Sequence, residues 1–344
     1  MRLPTSGVEL ETFQIGERTV GTGQPVYLIA EIGSNHDGDR HRAVELVRAA
    51  ADAGADAVKF QSFTAAGLSR RGEPSFAQLE RLALPDEWHR PLREAAHAYG
   101  IEFLSTPFSE ERADFLAALG VPAFKIASGD LTHHALLQHV AGFGRPLLLS
   151  TGLAELAEVH AAVTAIRDVA EVDLALLHCV AAYPPQPEQM NLRSLGVLAR
   201  QFAVPVGFSD HSPGGAATLA AVALGACVIE RHVTFDRGLP GPDHGYALTF
   251  EEFAELGRSV RALEAALGTG NVAPAPCEKD GRALGRRSVH AARGLAAGTV
   301  LSPLLWKLVR PADGVPADET SELIGRRLVR DVAEDQPITW ADVA

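Results

Sequence analysis

Short apolar runs recur along the chain at residues 26–32, 57–61, 102–106, 123–128, 146–151, 174–180, 205–209 and 226–232. Between them lie segments with helical spacing and strong helix formers, at 40–53, 86–99, 109–119, 133–140, 155–169, 192–201, 214–224 and 250–267. Near-continuous apolar strands alternating with helices mark a parallel sheet, and eight such units predict a closed (β/α)₈ TIM barrel of the α/β class. Upstream, residues 11–25 alternate polar and apolar around Gly16, which predicts a short hairpin ahead of the barrel. Downstream, residues 268–281 (GTGNVAPAPCEKDG) are rich in Gly and Pro without periodicity and read as a linker. Turn signals at Ala297-Gly298, Asp313-Gly314 and Gln336-Pro337 then predict a small β-rich domain over 282–344, after a barrel domain over 1–267.

The polar residues fall where such a barrel would put its active site. Each run ends in groups capable of chemistry: Glu31, Lys59 with Gln61, Ser105 with Thr106, Lys125 with Ser128, Ser150 with Thr151, His178, Ser209 with His211, and Glu230 with His232. A Ser or Thr alone often caps the next helix and a lone Lys is usually solvated. Polar groups at every strand end point instead to one functional rim. Side chains alternate along a strand, so Ser209 and His211 share a face opposite Asp210, and Glu230 and His232 share a face opposite Arg231. If those strands are neighbours, His211 and His232 converge on one cation. Two neutral imidazoles suit Zn, Mn, Fe or Ni better than Mg or Ca.

Composition narrows the class. The 344 residues carry a formal charge of −12, which argues against a general nucleic-acid or anionic-membrane surface, so an anionic substrate requires a locally cationic pocket. The N-terminus MRLPTSGVELETF lacks the apolar core of an export leader, and the longest apolar run, 214–229, is too short and small-residue-rich to span a bilayer. Cys179, Cys227 and Cys277 show no paired spacing, which predicts reduced thiols in a cytoplasmic protein.

Lys59 and Lys125 beside the hydroxyls of Thr106, Ser128, Ser150 and Ser209 suit a small anion with phosphate and carboxylate groups, because ammonium groups supply charge and hydroxyls supply oriented donors. A metal across the rim acts as a Lewis acid on a carbonyl. No Walker loop or GxGxxG is present to support nucleotide binding.

In chain order, AEIGSNHDG (30–38), KFQ (59–61), STPF (105–108), KIASGD (125–130), LSTG (149–152), GFSDHS (207–212) and ERHVTFDRGLPGPDH (230–244) resemble the sialic acid synthases, which include N-acetylneuraminate, legionaminic and pseudaminic acid synthases. The stretch from RRSVHA at 286 to ITWADV at 338 looks like their antifreeze-like (SAF) domain. The resemblance implies condensation of phosphoenolpyruvate with the open-chain aldehyde of an N-acylated mannose-type aldose, giving a nine-carbon 2-keto acid and phosphate. It implies a divalent metal, usually Mn²⁺, on His211 and His232, and phosphoenolpyruvate on Lys59, Thr106, Lys125, Ser128, Ser150 and Ser209. Glu31, Gln61, Tyr183 and Asp243 would contact the sugar, with Glu31 or Asp130 handling the water proton. A domain-swapped homodimer would bring Arg310 to a neighbouring subunit's sugar.

The chain departs from the family pattern in two places. Ala312 follows Arg310-Pro311 where Gly is usual. Val180 and Ala181 follow His178-Cys179 where Thr and then Thr, Ser or Asn are common, which predicts a missing hydrogen bond to the sugar and a changed substrate. His178 and the PGPDH of 240–244 favour the neuraminate and legionaminate branches over the pseudaminate one. Two other readings compete with a synthase of this type. One is a different condensing synthase or a barrel aldolase, which would make Lys125 a Schiff-base lysine. The other is a non-catalytic carbohydrate- or ice-binding protein, which would leave the paired lysines and histidines without a purpose.

Overall fold

In the computed structural model, which describes residues 12–344, the eight apolar runs form eight parallel strands. Residues 1–11, on which the reading of the N-terminus rests, lie outside the described residues. A hairpin comes first, β1 (Phe13–Ile15) and β2 (Arg18–Val20). The barrel strands are β3 (Tyr27–Glu31), β4 (Ala57–Ser62), β5 (Glu102–Pro107), β6 (Phe124–Ile126), β7 (Leu147–Ser150), β8 (Leu174–Cys179), β9 (Val206–Asp210) and β10 (Val228–Thr234). Their ladder runs β5-β4-β3-β10-β9-β8-β7-β6, so the first and last strands of the chain order meet at β3 and β10. The β5 and β6 strands lie side by side without a hydrogen-bonded ladder among the described residues, which leaves the barrel nearly closed. A two-residue strand, β11 (Leu248–Thr249), extends the top of β10.

Helices cover the outside: α1 (Arg40–Asp52), α2 (Ala65–Leu68), α3 (Phe76–Leu82), α4 (Asp86–Ala98), α5 (Glu110–Leu119), α6 (His134–Ala141), α7 (Leu156–Arg167), α8 (Ser194–Phe202), α9 (Ala216–Ala223) and α10 (Phe250–Leu267). Their ends follow local chemistry. Asp39 caps α1 by accepting from His41 N at 2.8 Å, Ser109 caps α5 by accepting from Arg112 N at 3.2 Å, and Thr249 with Glu252 forms a reciprocal box at the start of α10. The pair α2 and α3 fills the β4 to α4 connection, for which the hydrophobic pattern predicts no helix.

Two apolar layers result. One packs alternate strand residues such as Leu28, Phe60, Phe103 and Phe208 against the helices. The other fills the barrel interior with Tyr27, Ile29, Leu104, Leu148, Leu177 and Val228, and includes Phe13, Ile15 and Val20 of the hairpin. The hairpin therefore plugs the end of the barrel opposite the polar rim. Gly207 faces this interior, where a Cβ would meet Val228 O at 2.8 Å and Leu177 Cγ at 3.0 Å, so no larger residue fits.

His36, buried beside the rim, packs against Trp88 and Phe60. Burial pushes its pKa down to about 4, against the weaker pull of Asp37 and Asp243. Between that value and about 6.5 the unfolded chain takes up a proton that the folded chain refuses, so stability falls as pH drops through this window. In urea titrations from pH 7 to pH 5, His36→Gln is expected to flatten the loss of stability by up to about one proton's worth of slope. Identical slopes in the two proteins would show that His36 is not held neutral.

The C-terminal residues form a separate unit, Thr269–Ala344. Its apolar cluster includes Val289, Leu301, Val315, Leu323, Leu328 and Ile338. The antiparallel pair β12 (Ser288–Ala291) and β13 (Trp306–Val309) is joined by isolated bridges such as Leu295 to Val332, so short pairings hold the unit rather than long strands. The stretch expected as a linker differs at its end: Pro276 opens a tight turn, Ala275 N donates to Glu278, and helix α11 (Lys279–Gly285) follows. Among the described residues, no helix is long and apolar enough to cross a membrane.

Candidate active site

The C-terminal ends of β9 and β10 are neighbours in parallel register, with Ser209 opposite Glu230 and Asp210 opposite Arg231. Ser209, Glu230, His211 and His232 turn to the barrel axis. Asp210 and Arg231 turn outward into a buried ion pair, where Arg231 also donates to Ser212 O at 2.7 Å.

On the axis, buried charged groups pack against one another. The Lys59 ammonium lies 2.8 Å from Glu31 and 3.7 Å from Glu230, and donates to Thr106 Oγ1 at 3.2 Å. Lys125 donates to Ser150 Oγ at 2.6 Å and to Ile126 O at 2.9 Å, and stands 4.0 Å from Glu230. Ser209 donates to Glu230 at 3.1 Å, and Gln61 to Glu31 at 2.9 Å. Burial raises the Glu31 carboxyl above its ordinary range despite Lys59. Burial works the same way on Glu230, but Lys125 and Lys59 overcome it and hold the group at about 2. Lys59 is kept firmly charged because Glu230 and Glu31 outweigh its burial, while burial lowers Lys125. The cluster offers the ammonium groups of Lys59 and Lys125 to an incoming anion. It also provides a carboxyl suited to proton transfer.

The His211 and His232 rings lie 5.3 Å apart. His211 Nδ1 donates to Val180 O at 3.0 Å. His232 Nδ1 faces the Tyr246 hydroxyl at 3.4 Å, and that hydroxyl donates to Asp243 at 2.9 Å. Asp243 also accepts from Ser34 Oγ at 2.8 Å. Gly33 allows this approach, since at its φ of +53° a Cβ would meet Asp243 at 2.8 Å and His232 at 3.3 Å. The adjacent His244 locks the loop: its Nε2 donates to Asp37 at 3.1 Å and its Nδ1 accepts from Thr234 at 2.7 Å. Burial holds His211 at about 4 and lowers His232 as well, so both rings are neutral at pH 7. Their Nε2 atoms have no protein hydrogen-bond partner among the described residues. Neutral imidazoles fixed through Nδ1 with Nε2 free fit a divalent transition metal. Among the described residues no third His, Cys, Asp or Glu completes the set, so the remaining positions would be open to substrate and water.

Most of the residues singled out in the sequence come together here: Glu31, Lys59, Gln61, Thr106, Lys125, Ser150, Ser209, His211, His232 and Asp243. Ser128 joins them through its Oγ, which accepts from Gly152 N at 3.1 Å. Tyr183 holds its ring 4.4 Å from that of His211, tilted by 53°, and is 55% exposed, so it forms a lip rather than a wall. Asp130 sits on the Ser128–Asp130 turn, half-buried, its carboxyl raised by burial against the pull of His133 and Lys125. Arg310 is exposed in the C-terminal unit, just past β13.

One expectation is corrected. His178, counted on the rim, faces outward, stacked on Phe208 with its Nε2 donating to Met190 O at 2.7 Å. Cys179 faces inward in its place, its Sγ 3.9 Å from His211 Nδ1. Val180 serves His211 through its backbone, so loss of a hydroxyl at that position leaves this contact intact. Val180 and Ala181 also line a cavity of ≈ 600 Å³ with Leu153, Leu156 and Val197. Tyr246 and Ser34 are part of the site although the sequence reading does not single them out, and Glu230 lies on the rim as that reading expects. For Glu230 the signal is present, because it shares a strand face with His232.

The profile of the NeuB family matches residues 46–272, and that of the SAF domain matches 286–344. The chain belongs to the NeuB family. Its relatives in that family include the N,N'-diacetyllegionaminic acid synthase of Legionella pneumophila, 39% identical over 95% of this chain and 97% of the relative. The human N-acetylneuraminate-9-phosphate synthase is 35% identical, with 93% of each chain covered. Among NeuB-type structures, the sialic acid synthetase of Leptospira borgpetersenii in complex with citrate superposes with a TM-score of 0.76 at 32% identity, covering 79% of this chain and 95% of that one.

Proposed function

We propose that this NeuB-family chain is an enzyme of nonulosonic acid synthesis that joins phosphoenolpyruvate to the aldehyde of an N-acylated aldose and releases phosphate. The observation that carries the reading is the rim itself, where a Lys59 and Lys125 cluster lies next to two neutral imidazoles. Lys59, Lys125 and the hydroxyls of Thr106, Ser128, Ser150 and Ser209 bind the phosphate and carboxylate. Gln61, Asp243 and Tyr183 orient the aldose. His211 and His232 would hold a divalent cation, Mn²⁺ in this reading, which supplies Lewis-acid polarisation of the aldehyde when bound.

The methylene carbon C3 of phosphoenolpyruvate bonds to the aldehyde carbon, whose oxygen takes up a proton and becomes a hydroxyl. Water adds to C2, the carbon that bears the phosphate, giving up a proton, and the bond from C2 to the phosphate oxygen breaks to leave the 2-keto group and free phosphate. Glu31, with Asp130 as the other candidate, holds the proton exchanged with water, because burial raises both carboxyls above their ordinary range and makes them better proton acceptors. The family resemblance further implies a homodimer in which Arg310 of the partner subunit donates to the N-acyl carbonyl. The free thiols Cys179, Cys227 and Cys277 support a reducing, cytoplasmic setting.

The reaction is tested in ¹⁸O-labelled water with phosphoenolpyruvate, Mn²⁺ and an N-acylated aldose. Release of phosphate should depend on the sugar, the label should enter the keto acid, and the phosphate should stay unlabelled. Labelled phosphate would mean cleavage between phosphorus and oxygen, and would overturn this bond-breaking order.

A further inference from the structure

The two rim histidines are held by different means. His211 Nδ1 donates to the backbone carbonyl of Val180 at 3.0 Å, an acceptor that no substitution at that position removes. His232 Nδ1 meets side chains instead, the Tyr246 hydroxyl at 3.4 Å and Asp243 Oδ2 at 3.9 Å. The hydroxyl is within hydrogen-bond distance and the carboxylate is not. Asp243 is also kept from coming closer, because its Oδ2 accepts from Ser34 N at 3.2 Å and from Ser34 Oγ at 2.8 Å.

Tyr246 bridges that gap. Its hydroxyl has one proton, which it donates to Asp243 Oδ1 at 2.9 Å, since a carboxylate only accepts. Toward His232 the oxygen then offers lone pairs alone. In a neutral ring Nδ1 must therefore carry the proton, which leaves Nε2 with its lone pair free. The frame of Tyr246 is tied to the strand that carries His232. Two residues on, Leu248 and Thr249 of β11 pair with Val233 and Thr234 of β10. Two residues back, His244 is hydrogen-bonded to Thr234 Oγ1 at 2.7 Å. The turn His244–Tyr246 so sets the phenol ring 5.0 Å from the His232 ring and 5.1 Å from that of Tyr183.

Resting on the proposed function and its metal, we infer that Tyr246 is a positioning residue: its hydroxyl couples Asp243 to His232, fixes the Nδ1–H form of that imidazole and presents Nε2 to the divalent cation. A hydrogen bond from a ligand ring to an oxygen partner of this kind sets the ring's orientation and raises its basicity. The two histidines are therefore unequal. The His211 half of the site is built into the backbone, and the His232 half depends on one hydroxyl.

The test is Tyr246→Phe in the full-length chain, which keeps the ring and its packing and removes the hydroxyl. Nitrogen-15 NMR of the metal-free protein labelled at histidine reads which ring nitrogen carries the proton, with the two signals assigned by their loss in His211→Ala and His232→Ala. Mn²⁺ EPR measures metal affinity separately. The unsubstituted protein should show Nδ1–H on both rings. In Tyr246→Phe, His232 should lose that preference while His211 keeps it, and Mn²⁺ affinity should fall about tenfold to a hundredfold. Phosphoenolpyruvate affinity, measured without metal, should stay unchanged. An unaltered His232 signal, or an unaltered Mn²⁺ affinity, would overturn the inference and leave Tyr246 to packing. A matching loss of phosphoenolpyruvate affinity would trace the effect to damage of the whole rim and overturn it as well. Unsubstituted protein that binds no Mn²⁺ would overturn the metal reading beneath the inference, and the inference with it.

Discussion

His232→Ala is expected to lower phosphate release by at least about a thousandfold while the barrel keeps its stability to within about 1 kcal/mol. The imidazole stands at the end of β10, outside both apolar layers, so its loss opens space at the rim and leaves the packing intact. Asp243 keeps its bonds from Ser34 and Tyr246, so the loop around it holds its place. What disappears is one of the two neutral ring nitrogens that the proposed function assigns to the metal. His211→Ala should behave alike, and neither variant should be rescued by raising the pH, because both rings are already neutral at pH 7. The check is phosphate release before and after chelation and Mn²⁺ addition, with bound metal measured alongside. Full activity in metal-free His232→Ala would remove the metal from these side chains.

The barrel was legible because its strands are buried on both faces and its helices on one, so apolar runs and helical spacing alternate without ambiguity from β3 to α10. The site was legible because polar groups at strand ends have few structural reasons to recur. Double burial also explains the main error. In a strand exposed on one face, alternation reveals which side is the core; in β8 both faces are apolar, and nothing local says that Ala175, Leu177 and Cys179 look inward while His178 looks out. Register against β9, where Cys179 sits opposite Ser209, decides it, and register is a property of the closed sheet. The α2 and α3 helices were missed for another reason. They are short, lack a long apolar stripe, and are interrupted by Gly72 and Pro74. Yet Leu68, Leu79 and Leu82 of these helices line a cavity beside His232, and loops around a rigid barrel are where its specificity varies.

The electrostatics of the rim differ from those of its outer face, although the same strands build both. On the axis, Glu230 is shared among Lys59, Lys125 and Ser209 at 3.1 to 4.0 Å, and its Oε2 has no partner among the described residues. Such loosely matched charges can exchange partners when an anion arrives. On the outer face, Asp210 is fully satisfied. It accepts from Ser212 N at 2.8 Å, Ser212 Oγ at 2.6 Å, Thr218 Oγ1 at 2.6 Å and the Arg231 guanidinium.

That contrast makes Asp210→Ala the change with the largest expected cost in stability, about 3–5 kcal/mol. Arg231 is 1% exposed, so its guanidinium is cut off from bulk solvent. Without Asp210 it retains only neutral partners, the Ser212 carbonyl and the Thr218 hydroxyl at 3.5 Å, and Thr218 and Ser212 lose their carboxylate acceptor. The loss should reach catalysis too, because Asp210 lies between Ser209 and His211 and anchors the turn that aims both inward. Urea unfolding should show a lower midpoint with an unchanged slope. The cause is separable from general damage: in Asp210→Ala combined with Arg231→Met, no buried charge is left unpaired, and most of the lost stability should return. A double variant as unstable as Asp210→Ala alone would place the cost in the Ser212 and Thr218 hydrogen bonds instead of the stranded guanidinium.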